Sequence, residues 1–241
     1  MNRDRRGSSA RTGAYALGLA SLIVTFVLAT LAGAAGPASS GSVLATARTA
    51  VAKQSGVHVV FTARSSLTSK SEHIVADVGK SVGAETVVQG KSRLTVELTT
   101  TDAYVRGNAS GFTTLFGLTT TQAKRIGTKW AHWKAGTSMY STLKSDVTIA
   151  AVAALLPNPN GTKLATRVVN GATQDVVTWS TPASSNAPII SNTLIFSTGS
   201  AVLPIEETST TKGNTSVTTL LSHWGEQVSV TAPQSGATIA G

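Results

Sequence analysis

Two groups of segments in which apolar and polar residues alternate, separated by a stretch where they do not, constrain this chain more than any other feature. Val57, Val59, Phe61 and Ala63 share one face of the segment 57–64, and Leu94, Val96 and Leu98 alternate with Arg93, Thr95 and Glu97, the period of half-buried strands. Between them, 73–78 and 84–89 read as strands punctuated by Gly79 and Gly83, and 103–107 follows a Thr101-Asp102 turn. These five make an antiparallel meander. Strands resume after Asn158-Pro159-Asn160-Gly161 at 163–169, 174–180, 189–197, 201–207 and 215–222, with turn signals at Asn170-Gly171, Thr198-Gly199 and Lys212-Gly213-Asn214.

The period changes between the two groups. Phe112, Leu115 and Phe116 fall at helical spacing, and Thr119-Thr120-Thr121-Gln122 is a capping box opening a helix that Gly127 can end. A short strand or turn with Trp130 and Trp133 follows, then helices at 137–144 and 146–156, the second with Asp146 as N-cap and Pro157 beyond its end. That second helix is apolar almost all round, so it must be buried or cover something apolar. Strands, a helical insert and strands again, with no fixed-period repeat, describe one α+β domain whose economical packing is a large curved antiparallel sheet with helices covering its concave face.

Composition agrees with this class. Of 241 residues only 13% are charged, against roughly 25% in ordinary globular domains, while 36 Thr and 28 Ser fill the polar positions, as suits strands and uncharged loops. There is no Cys, which removes disulfides, thiolate metal sites, cysteine nucleophiles and any Cys-borne lipid.

The N-terminal segment speaks to compartment. Behind Arg3, Arg5, Arg6 and Arg11, the run 15–35 carries no charge and is apolar throughout, the pattern of an export signal. Ala32-Gly33-Ala34 offers a signal-peptidase site, yet a helix of this length also spans a bilayer, so residues 1–35 are expected to be either a cleaved signal or a retained membrane anchor. Residues 36–41 read as a linker and 42–241 as the folded domain, opening with a helix capped by Ser42 and running to about Gln54. The extracytoplasmic side, secreted or in the cell envelope, is the expected location. The net charge of +9 is dispersed, and no run of Lys and Arg interleaved with aromatics follows Arg11, so no nucleic-acid partner is expected.

Motifs for catalysis are weak. Ser141-Thr142-Leu143-Lys144 and Ser209-Thr210-Thr211-Lys212 match Ser-x-x-Lys, but no Ser-Asp-Asn or Lys-Thr-Gly accompanies them. His58, His73, His132 and His223 form no local metal motif, and no phosphate-binding glycine loop occurs, so no cofactor is expected. Glu206-Glu207 are adjacent and point to opposite faces of a strand, as a solvated edge and a turn-proximal charge would. Asn108-Ala109-Ser110, Asn160-Gly161-Thr162 and Asn214-Thr215-Ser216 fit the glycosylation sequon and read as turns.

The run Ser222-His223-Trp224-Gly225-Glu226-Gln227-Val228-Ser229-Val230-Thr231-Ala232-Pro233 resembles the closing strand of the actinobacterial LppX/LprG-type lipoproteins, which share a half-barrel with the LolA carrier. Tyr104-Val105-Arg106-Gly107-Asn108, the stretch to Phe116, and Gly127-Thr128-Lys129-Trp130 with Tyr140 and Leu143 downstream follow the order of that family. The resemblance spans about 57–233 and implies a half-barrel that carries an acylated lipid or a lipoprotein between sheet and helices. This chain departs from the lipoproteins in lacking the lipobox cysteine.

On that basis Phe112, Leu115, Phe116, Tyr140, Leu143, Ile149, Val152 and Leu156 are the expected lining of a lipid pocket, with Trp130 and Trp133 at its mouth or at a membrane interface. The same spacing also fits an ordinary core, and then the chain is a structural or interaction module of the envelope without a cavity. In neither case is an enzyme expected.

Overall fold

The computed structural model describes residues 39–65, 71–181, 189–199, 201–211, 215–234 and 238–240. The expected signal or anchor at 1–35 and the Lys212-Gly213-Asn214 turn lie outside these residues. Among the described residues no helix is long and apolar enough to cross a membrane.

Helix α1 (Ser40–Lys53) opens the domain. Its cap is Ser39 rather than Ser42: the Ser39 hydroxyl accepts from the Ser42 amide, and the Ser42 side chain answers at the Ser39 amide, closing a capping box. The expected linker therefore gives residues 40 and 41 to the helix. Val43, Leu44, Ala47 and Val51 form its buried stripe.

Strands β1 (Gly56–Ser65), β2 (Ser71–Gly79), β3 (Gly83–Gln89), β4 (Ser92–Leu98) and β5 (Asp102–Gly107) make the expected antiparallel meander. A π-helical turn (Gly111–Leu115) and α2 (Thr120–Ile126) follow, the latter boxed by Thr119 and Gln122 and ended by Gly127 at φ +59°. Next come β6 (Trp130–Lys134), α3 (Ser138–Asp146) and α4 (Ile149–Ala154).

Asp146 does not cap α4. It closes the last turn of α3, where the Val147 amide still donates to the Leu143 carbonyl at 3.1 Å. Thr148 becomes the N-cap, but its hydroxyl donates backwards to the Lys144 carbonyl at 2.8 Å, so α4 starts without a side-chain cap and is only six residues long.

A second meander runs through β7 (Lys163–Val169), β8 (Ala172–Thr181), β9 (Ile190–Phe196), β10 (Pro204–Thr211) and β11 (Thr215–Ser222). The β7–β8 hairpin turns on Asn170 and Gly171, at φ 51° and 78°, the two positive angles that a tight hairpin loop needs and that these residues tolerate. Pairing of β1 with β11 joins the meanders, and β12 (Thr238–Ala240) adds in parallel to β6.

The result is one curved, open sheet of twelve strands in the order β12-β6-β5-β4-β3-β2-β1-β11-β10-β9-β8-β7, the α+β architecture expected, with its helices on the concave side. The expected closing strand at 222–233 is a correction. Pairing stops at Ser222, and His223-Trp224-Gly225 turn the chain out of the sheet, with His223 at φ 54°. The chain then crosses the end of β1 and β2, where any Cβ on Gly56 would overlap Val228 and the Glu226 carbonyl.

Two apolar clusters fill the space between sheet and helices. One joins Leu94, Val96, Val105, Phe112, Phe116 and Leu143 under α2, α3 and the π turn. The other joins Leu44, Val51, Val59, Val152, Leu194 and Phe196 under α1 and α4.

Candidate functional site

The pocket residues expected from the sequence fall into both clusters. Phe112, Leu115, Phe116, Tyr140 and Leu143 are buried together in the first, and Ile149, Val152 and Leu156 in the second. The first group is held tightly. Phe112 and Phe116 meet edge to face at 6.4 Å, the Phe116 ring lies 5.4 Å from Trp133, and the Tyr140 hydroxyl donates to the Thr100 carbonyl at 2.8 Å. Trp130 stands elsewhere. In β6, Ala131 and Trp133 contact the first cluster, so Trp130 and His132 point to the outer face of the sheet. There the Arg106 guanidinium covers the Trp130 ring at 4.7 Å, Tyr104 stacks on His132 at 5.0 Å, and His132 meets Asp102 at 2.6 Å. Hydrogen bonds from Thr101 and His132 hold the Asp102 carboxyl below its ordinary value. Trp224 packs against the second cluster and its Nε1–H donates to the Pro204 carbonyl at 2.9 Å, so it ties the chain after β11 to the start of β10.

A gap lies where the two clusters meet. It is lined by Phe61 and Ile74 from one, Val59, Ala76, Val78 and Val152 from the other, and by Leu155 and Glu85. At about 10 Å³ it holds hardly one water, so sheet and cover are closed on each other. Of the expected lining residues, Val152 borders this gap.

The gap's position follows from how α4 is seated. The link Val147-Thr148 runs across the ends of β2 and β3, with Thr148 bridging Gly79 in parallel, and Gly83 leaves room for the Val147 carbonyl that a Cβ would block. At its other end, Arg48 of α1 donates to the Leu156 and Pro157 carbonyls.

Glu85 was missed at the sequence level. It shares the inner face of β3 with Gly83 and Val87, opposite Ala76 and Val96, and is 3% exposed. Its Oε1 is buried without a hydrogen-bond partner. Burial, reinforced by the negative charges of Asp146 and Glu72, pushes its carboxyl up to about 8, so it is neutral at pH 7. The signal was a charged residue on the apolar parity of a strand. Glu207 repeats it: paired with Leu194 and Thr219 on the inner face, it is half-buried rather than a solvated edge charge, and burial pushes it up to about 7. Glu206 points to the other face, as expected.

Among the described residues no group of three or more His, Asp or Glu could hold a metal ion. No protein-family model matches the chain, and no curated protein matches its sequence. Solved structures similar to it include LprF from Mycobacterium bovis, 16% identical, with a TM-score of 0.47 over 80% of this chain and 96% of that one. LppX, a lipoprotein of Mycobacterium tuberculosis, is 16% identical, with a TM-score of 0.39 over 79% and 98%. A DUF1329 family protein from Desulfovibrio piger is 9% identical, with a TM-score of 0.32 over 78% and 92%.

Proposed function

We propose that this chain is a non-enzymatic binding module of the cell envelope that takes up a lipid or other amphiphile between its sheet and its helical cover. The observation that carries this is the seam: an apolar gap, bordered by one buried carboxyl, beneath a six-residue helix. Lifting α4 exposes chiefly Ile149 and Val152, which costs about 1.5–3 kcal/mol each. Burying a long acyl chain returns about 0.8 kcal/mol per methylene, so a chain of sixteen carbons exceeds that cost about twofold or more. In this reading the closed seam is the unloaded state. Phe112, Leu115, Phe116, Tyr140 and Leu143 form the fixed wall beside it, and Ile149, Val152 and Leu156 belong to the movable cover. The segment 1–35 takes the chain across the membrane and is either removed or kept as an anchor.

A second reading, a structural or interaction module without a ligand cavity, is favoured by the tightness of that closure. Native mass spectrometry of the protein purified from its own host, followed by organic extraction, separates the two. A lipid near one per chain supports the carrier; bare chain, with no uptake from lipid vesicles afterwards, supports the structural module.

A further inference from the structure

The two faces of the sheet differ in charge. Every Lys and Arg carried by the described strands (Arg64, Arg93, Arg106, Lys134, Lys163 and Arg167) has the outward parity, opposite to that of the residues that contact the apolar clusters. The inward parity carries Glu72, Glu85, Asp175 and Glu207, and no base. In a chain of net charge +9 the described strands thus turn only acids toward the side on which an amphiphile would lie. Glu85 is the deepest of them, with an unpartnered oxygen at the apolar gap and no cation beside it.

We propose that Glu85 determines the specificity of the seam, admitting amphiphiles whose polar group donates a hydrogen bond to it and, in its ionised form, rejecting anionic ones. This rests on the carrier reading above. A hydroxyl, amide or amine next to a long apolar chain satisfies the orphaned Oε1, and a buried acceptor left unmade is expensive. A sulfate or phosphate head is repelled once Glu85 ionises, because the two like charges would then share a low-dielectric space with Asp146 and Glu72 near it. The surrounding Val59, Phe61, Ile74, Ala76, Val78 and Val152 offer nothing polar in their side chains, so discrimination among head groups falls to this carboxyl.

The test uses the protein as its host processes it, stripped of lipid, with three probes that share one chain: oleyl alcohol, oleyl methyl ether and oleyl sulfate. Equilibrium dialysis at pH 6.5 compares wild type with Glu85→Gln, which keeps a polar amide, and Glu85→Leu, which keeps only the volume. At that pH the preference for alcohol over ether is expected to fall about tenfold in Glu85→Leu and to stay within about threefold in Glu85→Gln, while the preference for alcohol over sulfate is expected to rise between pH 6.5 and pH 9.5 in wild type and in neither variant. A preference for alcohol over ether unchanged in Glu85→Leu overturns the proposal while leaving the carrier standing. Failure of all three probes to bind wild type overturns both. If Glu85→Leu does not fold, wild type at pH 9.5 replaces it: the ionised carboxyl must raise the preference for alcohol over sulfate, and a constant preference overturns the proposal.

Discussion

The carbonyl of Val147 occupies the space that a Cβ on Gly83 would need. This contact seats the link between α3 and α4 on the ends of the strands, beside the bridge from Thr148 to Gly79. Because the obstructing atom is backbone, Gly83→Ala has no flexible side chain to push aside. It should lower stability by about 1–3 kcal/mol in urea unfolding. Loosening should concentrate at α4, so hydrogen exchange of the Ala151 and Val152 amides should accelerate more than that of β1. Equal acceleration in both would mean that Gly83 supports the sheet rather than the cover.

Glu85 and Glu207 make stability fall as pH rises. Both are carboxyls whose folded value lies above that of the unfolded chain, so the folded state binds the extra proton and stability declines wherever that proton is being lost. Their contribution is whole below about pH 4.5. It is lost progressively up to about 7 for Glu207 and about 8 for Glu85, above which the slope ends. For Glu85 the total is of order 5 kcal/mol. The urea midpoint should therefore drop between pH 5 and pH 8.5. Glu85→Gln should flatten much of that drop and be more stable than wild type at pH 8.5. An unchanged profile would mean that water reaches the carboxyl.

Much of the sheet was legible because strand burial has a period of two, and Val57, Val59, Phe61, Leu94, Val96 and Leu98 obey it. The Asn170-Gly171 hairpin was legible because few other pairs tolerate two positive φ angles. The α3–α4 boundary was not, since Asp146 suits the last residue of one helix as well as the cap of the next, and only the seating of Thr148 against Gly79 decides between them. Nor was the course of 223–233. Its apolar alternation suits a strand, but β11 already flanks β1 and leaves it no free edge there. At the seam, helical spacing identified apolar residues without telling a packed wall from a movable cover. Glu85 and Glu207 were visible as charges on an apolar parity, but their burial depends on strands and helices distant in sequence.

Phe116 and Val152 separate wall from cover. Phe116 is 1% exposed and wedged against Phe112 and Trp133, so Phe116→Ala should cost about 3–5 kcal/mol and leave the choice among head groups unchanged in whatever fraction folds. Val152 borders the gap, and Val152→Ala removes only two methyls there. It should cost about 1–2 kcal/mol and speed uptake of a fluorescent fatty alcohol in stopped-flow mixing. Faster uptake in Phe116→Ala than in Val152→Ala would move the opening to the first cluster.

Arg48 is the outer latch of the same helix. Its guanidinium, half-buried on α1, donates to the Leu156 and Pro157 carbonyls just beyond α4, and burial pulls its value below that of a free arginine. Hydrogen bonds from a charged donor contribute about 1.5–3 kcal/mol, and these join α1 to the segment just beyond α4. Arg48→Met keeps the apolar stem and removes the donors. The expected result is a loss of about 1–3 kcal/mol in urea unfolding, with lipid release accelerated more than the loss of stability accounts for, because the bonds are broken whenever α4 lifts. Replacement by Lys should restore only part of the effect, since both bonds come from the arginine Nη2 and the shorter lysine side chain holds its ammonium short of that position. Release rates that follow global stability in all three proteins would show that α4 does not move independently, and uptake would then have to proceed from the opposite end of the sheet.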